Sequence, residues 1–510
     1  MKITGVLLDV TGIQAYVFGS NKLKENLGAS FLVENGYKDF LRKAAESVVG
    51  DKKELDRWQD ETDKFYIKEP DIEMEVGYIG GGNALLFFKD QDQNKAEQFI
   101  KEWSRRLLLE TPGLSTAVAI EKIDLDNPQQ GVIDIFKELN KNKFTHHPQV
   151  TLPRHGITTE CPRTGLSAES WSDEDKKHIS FVAASKLNHT ESAHEMFKDA
   201  FKDVLNDYEF PKDLEKLGQS KGESHIAIVH IDGNGMGKRF MECETIQALR
   251  NLSVSLRQAT EKTMKLLLEQ IIVDYDYYQN PKNFKLEPKT FPIRPIILGG
   301  DDVTFVTDAK LGVYFAEKFI EAFVEQKVSD DKPLSACAGV AITKTKYPFY
   351  RGYKLAEQLC HSAKEKAKEG KDESWLDFHI AYGGFSGELS EIRRRHYTVK
   401  TGDLCYRPYR ICPEKQDAQS FSEFKKGMKE LDDKWPRNKQ KELREVLSLG
   451  EEATKQFIKE MENRGNSLPN IPGYHSFKNS GWDGKKTPYF DMLELMELYC
   501  PPEKDKEESQ

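Results

Sequence analysis

The 510-residue chain has only seven cysteines, Cys161, Cys243, Cys337, Cys360, Cys405, Cys412 and Cys500, and no CxxC pair among them. An odd, unpatterned set argues against a disulfide framework or a zinc site and predicts reduced thiols in a cytoplasmic protein. Long apolar runs are missing too. The first, in MKITGVLLDVTGIQAYVF, is interrupted by Asp9 and Gln14, far short of the ~20 residues a membrane helix needs. Excess positive charge is absent: 75 Lys and Arg stand against 84 Asp and Glu, a net charge of −9. That balance argues against a broad, non-specific grip on nucleic acid and leaves room for a local basic groove. A P-loop is also lacking. In DGNGMGKR, Asp232 stands where the first Walker A glycine belongs, and Arg239 follows Lys238 where Ser or Thr is required.

What the chain does contain is an internal repeat. GVLLDVTGIQAYVFGS near the start and HIAIVHIDGNGMGKRF later are both apolar runs that end at an aspartate, Asp9 or Asp232, before a Gly-containing turn. Each is followed by a hairpin pattern with paired glycines, VGYIGGGNALLFF in the first half and RPIILGGDDVTFV in the second. From Asp9 to Gly80 is 80 − 9 = 71 positions; from Asp232 to Gly299 it is 299 − 232 = 67. Short Val- and Ile-rich runs bounded by such turns read as buried strands, and the three- and four-residue apolar steps between them read as helices. The order strand, helix, hairpin, helix, strand, helix predicts an α/β (α+β) fold with two ferredoxin-like palm domains. The expected divisions are 1–145, a first, degenerate palm; 146–222, a linker with helical sequence; 223–385, a second palm; and 386–510, a mostly helical C-terminal domain with a disordered tail.

The second copy carries a carboxylate set that the turn does not need. Phosphoryl transfer to a hydroxyl uses two divalent ions held by hard oxygen ligands. Asp232 ends the first strand of the second copy, and Asp301 and Asp302 occupy its hairpin tip. Gly233, Gly299 and Gly300, with Asn234, allow a triphosphate close to the backbone. Each feature alone is an ordinary turn; their order within one strand–helix–hairpin plan points to catalysis. Lys364 is read either as a solvated lysine or as a triphosphate contact. In GSNKLKENLGAS, the residues Asn21, Lys22 and Ser30 are read either as nucleotide ligands or as plain surface.

On DVTGIQAYVFGSNKLKENLGAS, CPRTGLSA, HIDGNGMGK, LGGDD and SWLDFHIAYGG, most of residues 1–385 resembles the large polymerase–cyclase subunit of type III CRISPR effector complexes. The resemblance implies conversion of ATP into cyclic oligoadenylates for antiviral defence, with Asp301, Asp302 and Asp232 catalytic and holding two Mg²⁺ or Mn²⁺ ions. It implies that the first palm binds a second ATP without its own catalytic pair, through Gly81 and Asn83 among others. Other effector subunits, guide RNA and target RNA are the implied partners. Relatives often begin with an HD nuclease domain; here a palm strand starts at residue 3 and no His-Asp dipeptide occurs, so DNA cleavage is not expected. Cys161 alone stands where relatives carry a zinc-binding cysteine set, so no zinc is expected. The competing readings are a silent palm-domain scaffold or nucleotide sensor, and a mono- or dinucleotide cyclase using the same site.

Overall fold

The computed structural model describes residues 1–50, 53–89, 93–145, 151, 153, 155–218, 224–370, 373–383 and 387–502. Pro501 and Pro502 are buried, and the remainder of the expected tail, 503–510, lies outside the described residues.

Two sheets repeat one plan. In the first, β1 (Lys2–Thr11), β2 (Met74–Gly80), β3 (Asn83–Phe88) and β4 (Ser115–Asp124) lie in the order β2-β3-β1-β4, every neighbour antiparallel. In the second, β5 (His225–Gly233), β6 (Ile293–Gly299), β7 (Asp302–Asp308) and β8 (Ala336–Lys344) repeat that order as β6-β7-β5-β8. Beyond β8 the second sheet gains β9 (Ser374–Ile380), parallel to β8, and then β10 (Tyr409–Ile411). The last of these comes from sequence whose strand character fades, so the C-terminal region completes the sheet as an edge strand.

Helices follow the strands in matched places. α1 (Leu23–Tyr37) lies between β1 and β2, α2 (Asn94–Glu110) between β3 and β4, and α3 (Pro128–Asn142) after β4. Their counterparts are α4 (Ile246–Val273), α5 (Gly312–Val324) and α6 (Phe349–Glu369). α4 begins where the Thr245 hydroxyl accepts from the Ala248 amide at 3.1 Å, which satisfies one orphan donor of its first turn. Between the palms run a short hairpin, Ser170–Ser172 with Lys177–Ile179, and the helices Phe181–Asn188 and Thr190–Ala200.

Strand alternation decides how the palms meet. Ala227, Val229 and Ile231 of β5 face a core shared with α4 and α5, whereas Ile226 and Ile228 join the core of the first palm. The same holds on β7, where Val303 and Phe305 point one way and Val306 the other. The second sheet is therefore buried on both faces, one by α4 and α5 and the other by α6 together with part of the first palm. Phe18 of the first palm stacks on Tyr353 of α6 with ring centroids 3.7 Å apart, which ties the short helix Ile13–Phe18 to the second palm.

Candidate functional site

Alternation also aims the carboxylates. Asp232 shares parity with Ile226 and Ile228, and Asp302 with Val306, so both lie on the face turned toward the first palm. They are directly opposite in the β5–β7 register, which places their Cβ atoms about 5 Å apart. Asp301 joins them at the hairpin tip. A Cβ on Gly233 would come within 2.7 Å of Asp301 Cβ, so only glycine lets the loop after β5 approach this closely.

The electrostatics are strained. Burial first, and the neighbouring Asp232 next, push the Asp301 and Asp302 carboxyls up to about 7. Gln14, from the first palm, offsets part of the rise at Asp302 by a hydrogen bond. His230 Nδ1 lies 3.4 Å from Asp302 Oδ1. Burial pushes the imidazole pKa down, however, so the ring is neutral and supplies no counter-charge. Asp302 Oδ1 consequently has no hydrogen-bond partner, although the side chain keeps 33% of its surface open. The nearest cation is Lys364 of α6, whose Nζ sits 2.6 Å from Asp232 Oδ2 and donates to the Gly233 carbonyl at 3.0 Å. Burial alone would lower its pKa, but Asp232 outweighs burial and holds it raised.

The first palm repeats this frame with different chemistry. Asp9 stands opposite Asn83 in register, as Asp232 stands opposite Asp302. Lys143, just beyond α3, pairs with Asp9 at 3.1 Å, as Lys364 pairs with Asp232. Gly12 and Gly235, each three residues after its aspartate, share a left-handed φ of 65° and 68° and precede six-residue helices.

Two cavities lie between the hairpins. One of about 400 Å³ is lined by Ser30, Val33, Glu34 and Tyr37 of α1 together with Gly80–Gly82 and Gly299–Asp302. The other, of about 330 Å³, is lined by Ser253, Leu256 and Arg257 of α4 with Gly80, Gly81, Asn83, Gly300 and Asp301. Ser30-Val33-Glu34 and Ser253-Leu256-Arg257 have identical spacing on equivalent helices, and Glu34 meets Arg257 at 3.8 Å between the cavities.

Helix α4 holds both hairpins. The fully buried Arg250 donates to the Gly77 carbonyl at 3.4 Å, to the Lys64 carbonyl at 2.6 Å and to Glu75 Oε1 at 3.1 Å, with a further bond to the Val76 carbonyl. Thr260, three turns along, donates to the Gly300 carbonyl. Tyr37 reaches the Gly82 carbonyl from α1.

The residues singled out in the sequence divide into two groups. Asp301, Asp302, Gly299, Gly300, Gly81, Asn83 and Ser30 border the inter-palm cavities, with Asp232, Gly233 and Lys364 beside them. Asn234 is occupied elsewhere, its amide donating to Ser335 Oγ at 3.1 Å and the Glu373 carbonyl at 3.2 Å. Asn21 and Lys22 are exposed and line neither cavity. Sequence reasoning missed Gln14, Tyr37, Arg250, Ser253, Arg257 and Lys143. Lys143 was within reach of the repeat itself, since a lysine follows the fourth strand in both copies. Arg250, a charge set among apolar helix positions, was a visible anomaly.

Among the described residues, no three His, Cys, Asp or Glu side chains form a ready-made cation cage. The residues fit a divalent ion nonetheless: the donors are hard carboxylate oxygens, and one is buried without a partner.

Residues 225–374 match the family model for the second palm domain of Cas10/Cmr2. The fold is similar to a chain of a Csm1–Csm4 cassette in complex with pppApApA, with a TM-score of 0.56 and 12% identity over 98% of this chain and 69% of that one. It is also similar to a Csm1–Csm4 cassette in complex with one ATP, with a TM-score of 0.50 and 12% identity over 98% of this chain and 70% of that one. No curated protein matches. Residues 225–374 are thus a Cas10/Cmr2-like second palm domain within a chain of mixed α/β fold.

Proposed function

We propose that the inter-palm cleft joins ATP molecules into cyclic oligoadenylates, with the second palm performing the chemistry. The observation that carries this reading is the register of Asp232 with Asp302, and Asp301 beside them, facing a glycine hairpin across a shared cleft. In the reaction a 3′-hydroxyl attacks the α-phosphate of the neighbouring ATP and releases pyrophosphate. Asp232, Asp301 and Asp302 are the residues that would hold two Mg²⁺ or Mn²⁺ ions. Those ions supply neutralisation of phosphate charge and a more acidic attacking hydroxyl.

The chain's own groups do the positioning. The two cavities each accept one nucleoside, and Ser30 and Ser253 present the same hydroxyl to both, which favours a product built from one kind of base. Gly299, Gly300 and Gly233 let the phosphates approach the backbone. Lys364 balances Asp232 and stands ready to exchange that carboxylate for phosphate. Because two palms within one chain face each other, the reactants are brought together without dimerisation.

The Csm1–Csm4 likeness supports assembly with other type III effector subunits, with guide and target RNA as the activating context. The Lys364–Asp232 pair favours a second reading, in which the site is held at rest or serves as a nucleotide sensor. The test is incubation with each nucleoside triphosphate plus Mg²⁺ or Mn²⁺, alone and with guide and target RNA, with products identified by mass spectrometry. Cyclic oligoadenylate made by the native chain and lost in Asp301→Ala/Asp302→Ala supports the proposal. Absence of product in every condition favours the sensor, and product surviving the double substitution overturns the site.

A further inference from the structure

The repeat loses its symmetry in the short helix after each first strand. Ile13–Phe18 follows β1 and Met236–Met241 follows β5, each entered through a left-handed glycine, Gly12 or Gly235. Counted from those glycines, Gln14 matches Gly237 and Phe18 matches Met241. Gly237 has no side chain, and a Cβ there would meet nothing within 4 Å. Met241 is 48% exposed on a cavity wall, whereas Phe18 is 2% exposed. Where the second palm has open space and a half-open methionine, the first extends an amide and buries an aromatic ring.

Both side chains go to the second palm. Phe18 stacks on Tyr353 of α6, and the Tyr353 ring packs edge-to-face with His230 of β5 at 5.5 Å between centroids. His230 Nδ1 in turn lies 3.2 Å from Thr304 Oγ1 and 3.4 Å from Asp302 Oδ1. Gln14 reaches the same carboxylate directly, and both residues line the cavity of about 400 Å³. An ionised carboxylate only accepts, so the amide N–H donates. Asp302 Oδ1 has no hydrogen-bond partner, which leaves the amide to the other oxygen. One oxygen is held and one stays open. At the start of the same helix, Ile13 fills the space beside Gly82, where a Cβ would collide with it. The helix is thus wedged between the glycine hairpin of its own palm and the carboxylate hairpin of the other.

We propose that Gln14 is a positioning residue for Asp302, supplied across the palm interface, with the Phe18–Tyr353 stack backing the His230–Thr304 contact behind it. This rests on Asp302 as a ligand for a divalent ion, and adds that the metal site of the second palm is incomplete without the first. A carboxylate fixed through one oxygen takes an ion with less reorganisation than a free one, so removing Gln14 costs metal affinity and not ATP affinity. The palm that lacks an aspartate pair contributes to the other's chemistry by geometry alone.

Mn²⁺ titration of the full chain without nucleotide, followed by electron paramagnetic resonance, tests it. Gln14→Leu, similar in bulk and without a donor, is expected to weaken Mn²⁺ ~tenfold at unchanged Tm. Gln14→Asn keeps the amide on a shorter arm and should behave as Gln14→Leu does, because reach is what matters. Phe18→Leu should weaken Mn²⁺ in the same direction by less. In an Asp302→Asn chain, Gln14→Leu should cost nothing further, since the carboxylate it orients is gone. Steady-state kinetics adds a reading that a merely structural role would not move. At limiting Mn²⁺, Gln14→Leu should slow turnover ~tenfold with KM for ATP within about twofold, and saturating Mn²⁺ should restore most of the rate. Unchanged Mn²⁺ affinity in Gln14→Leu, equal losses with and without the Asp302 carboxylate, or a native chain that takes up no Mn²⁺ each overturns the inference. Gln14-dependent Mn²⁺ binding without cyclic product defeats only the cyclase reading, and product whose metal requirement ignores Gln14 defeats only this one.

Discussion

The two glycine hairpins differ in the sign of φ at the second turn residue. In the first, Gly80 pairs with Asn83, and both turn residues, Gly81 and Gly82, have positive φ, 58° and 78°. In the second, Gly299 pairs with Asp302, and only Gly300, at 60°, is left-handed, while Asp301 is not. The first therefore has the pattern of a type I′ turn, which admits glycine at both central positions. The second has the pattern of a type II′ turn, which frees its second position for a side chain. A Cβ on Gly82 would also meet Ile13 Cδ1 at 2.1 Å. Placing aspartates at 82 and 83 would therefore not by itself reproduce the geometry of the second turn.

The comparison breaks most sharply at the carboxylates. Asp301→Ala/Asp302→Ala should cut product formation at least ~1,000-fold while the protein still unfolds cooperatively, whereas Asp9→Ala should cost no more than ~30-fold. Equal losses would mean that the palms share the chemistry. Next come the matched lysines: Lys364→Ala is expected to lower turnover ~10- to 100-fold, and Lys143→Ala to raise KM with a smaller effect on kcat, a split that steady-state kinetics reads directly.

Smaller still is the effect of the turn itself. Gly82→Ala should destabilise by about 1–3 kcal/mol in urea titration, since alanine must adopt positive φ and displace Ile13. Asp301→Gly should leave stability unchanged or raise it, because it removes a repelling carboxylate. The gentlest probe is pH. Asp301 and Asp302 are raised from 3.8 to about 7, so between those values the folded chain binds more protons than the unfolded one. Without divalent metal, stability then falls as pH rises through that window. Mg²⁺ should recover a few degrees of Tm at pH 8 and almost none at pH 5, and Asp301→Asn/Asp302→Asn should abolish the recovery.

Much of this arrangement was legible from local pattern. Apolar runs ending in Asp9 and Asp232 became β1 and β5, and the three- and four-residue apolar steps after them became helices such as α4 and α6. The motif order placed Asp232 at the end of one strand and Asp301 and Asp302 at the hairpin tip, while their shared face came from the strand register. The crossing of elements was not legible, because it depends on which helix packs against which hairpin. Nothing local marks Ser253 as a wall of a cavity that the other palm completes, or Arg250 as a donor to strand carbonyls 173 and 174 residues earlier. Tyr409–Ile411 was invisible for a related reason: three residues carry no period, and only the exposed edge of β9 makes them a strand. Asn21 and Lys22, read as nucleotide ligands or as plain surface, stand exposed outside both cavities.

Arg250 has a consequence for how such a protein could be divided. Its guanidinium and the Glu75 carboxylate are both about 1% exposed and belong to different palms. Removing either partner strands the other as a dry, uncompensated charge, at a cost of about 3–5 kcal/mol. A gene split between the palms would therefore yield two polypeptides that complement each other only by rebuilding that contact, each carrying an unquenched ion until it does. Control of the cleft is therefore expected to act on palms that stay joined, not by letting the two halves drift apart.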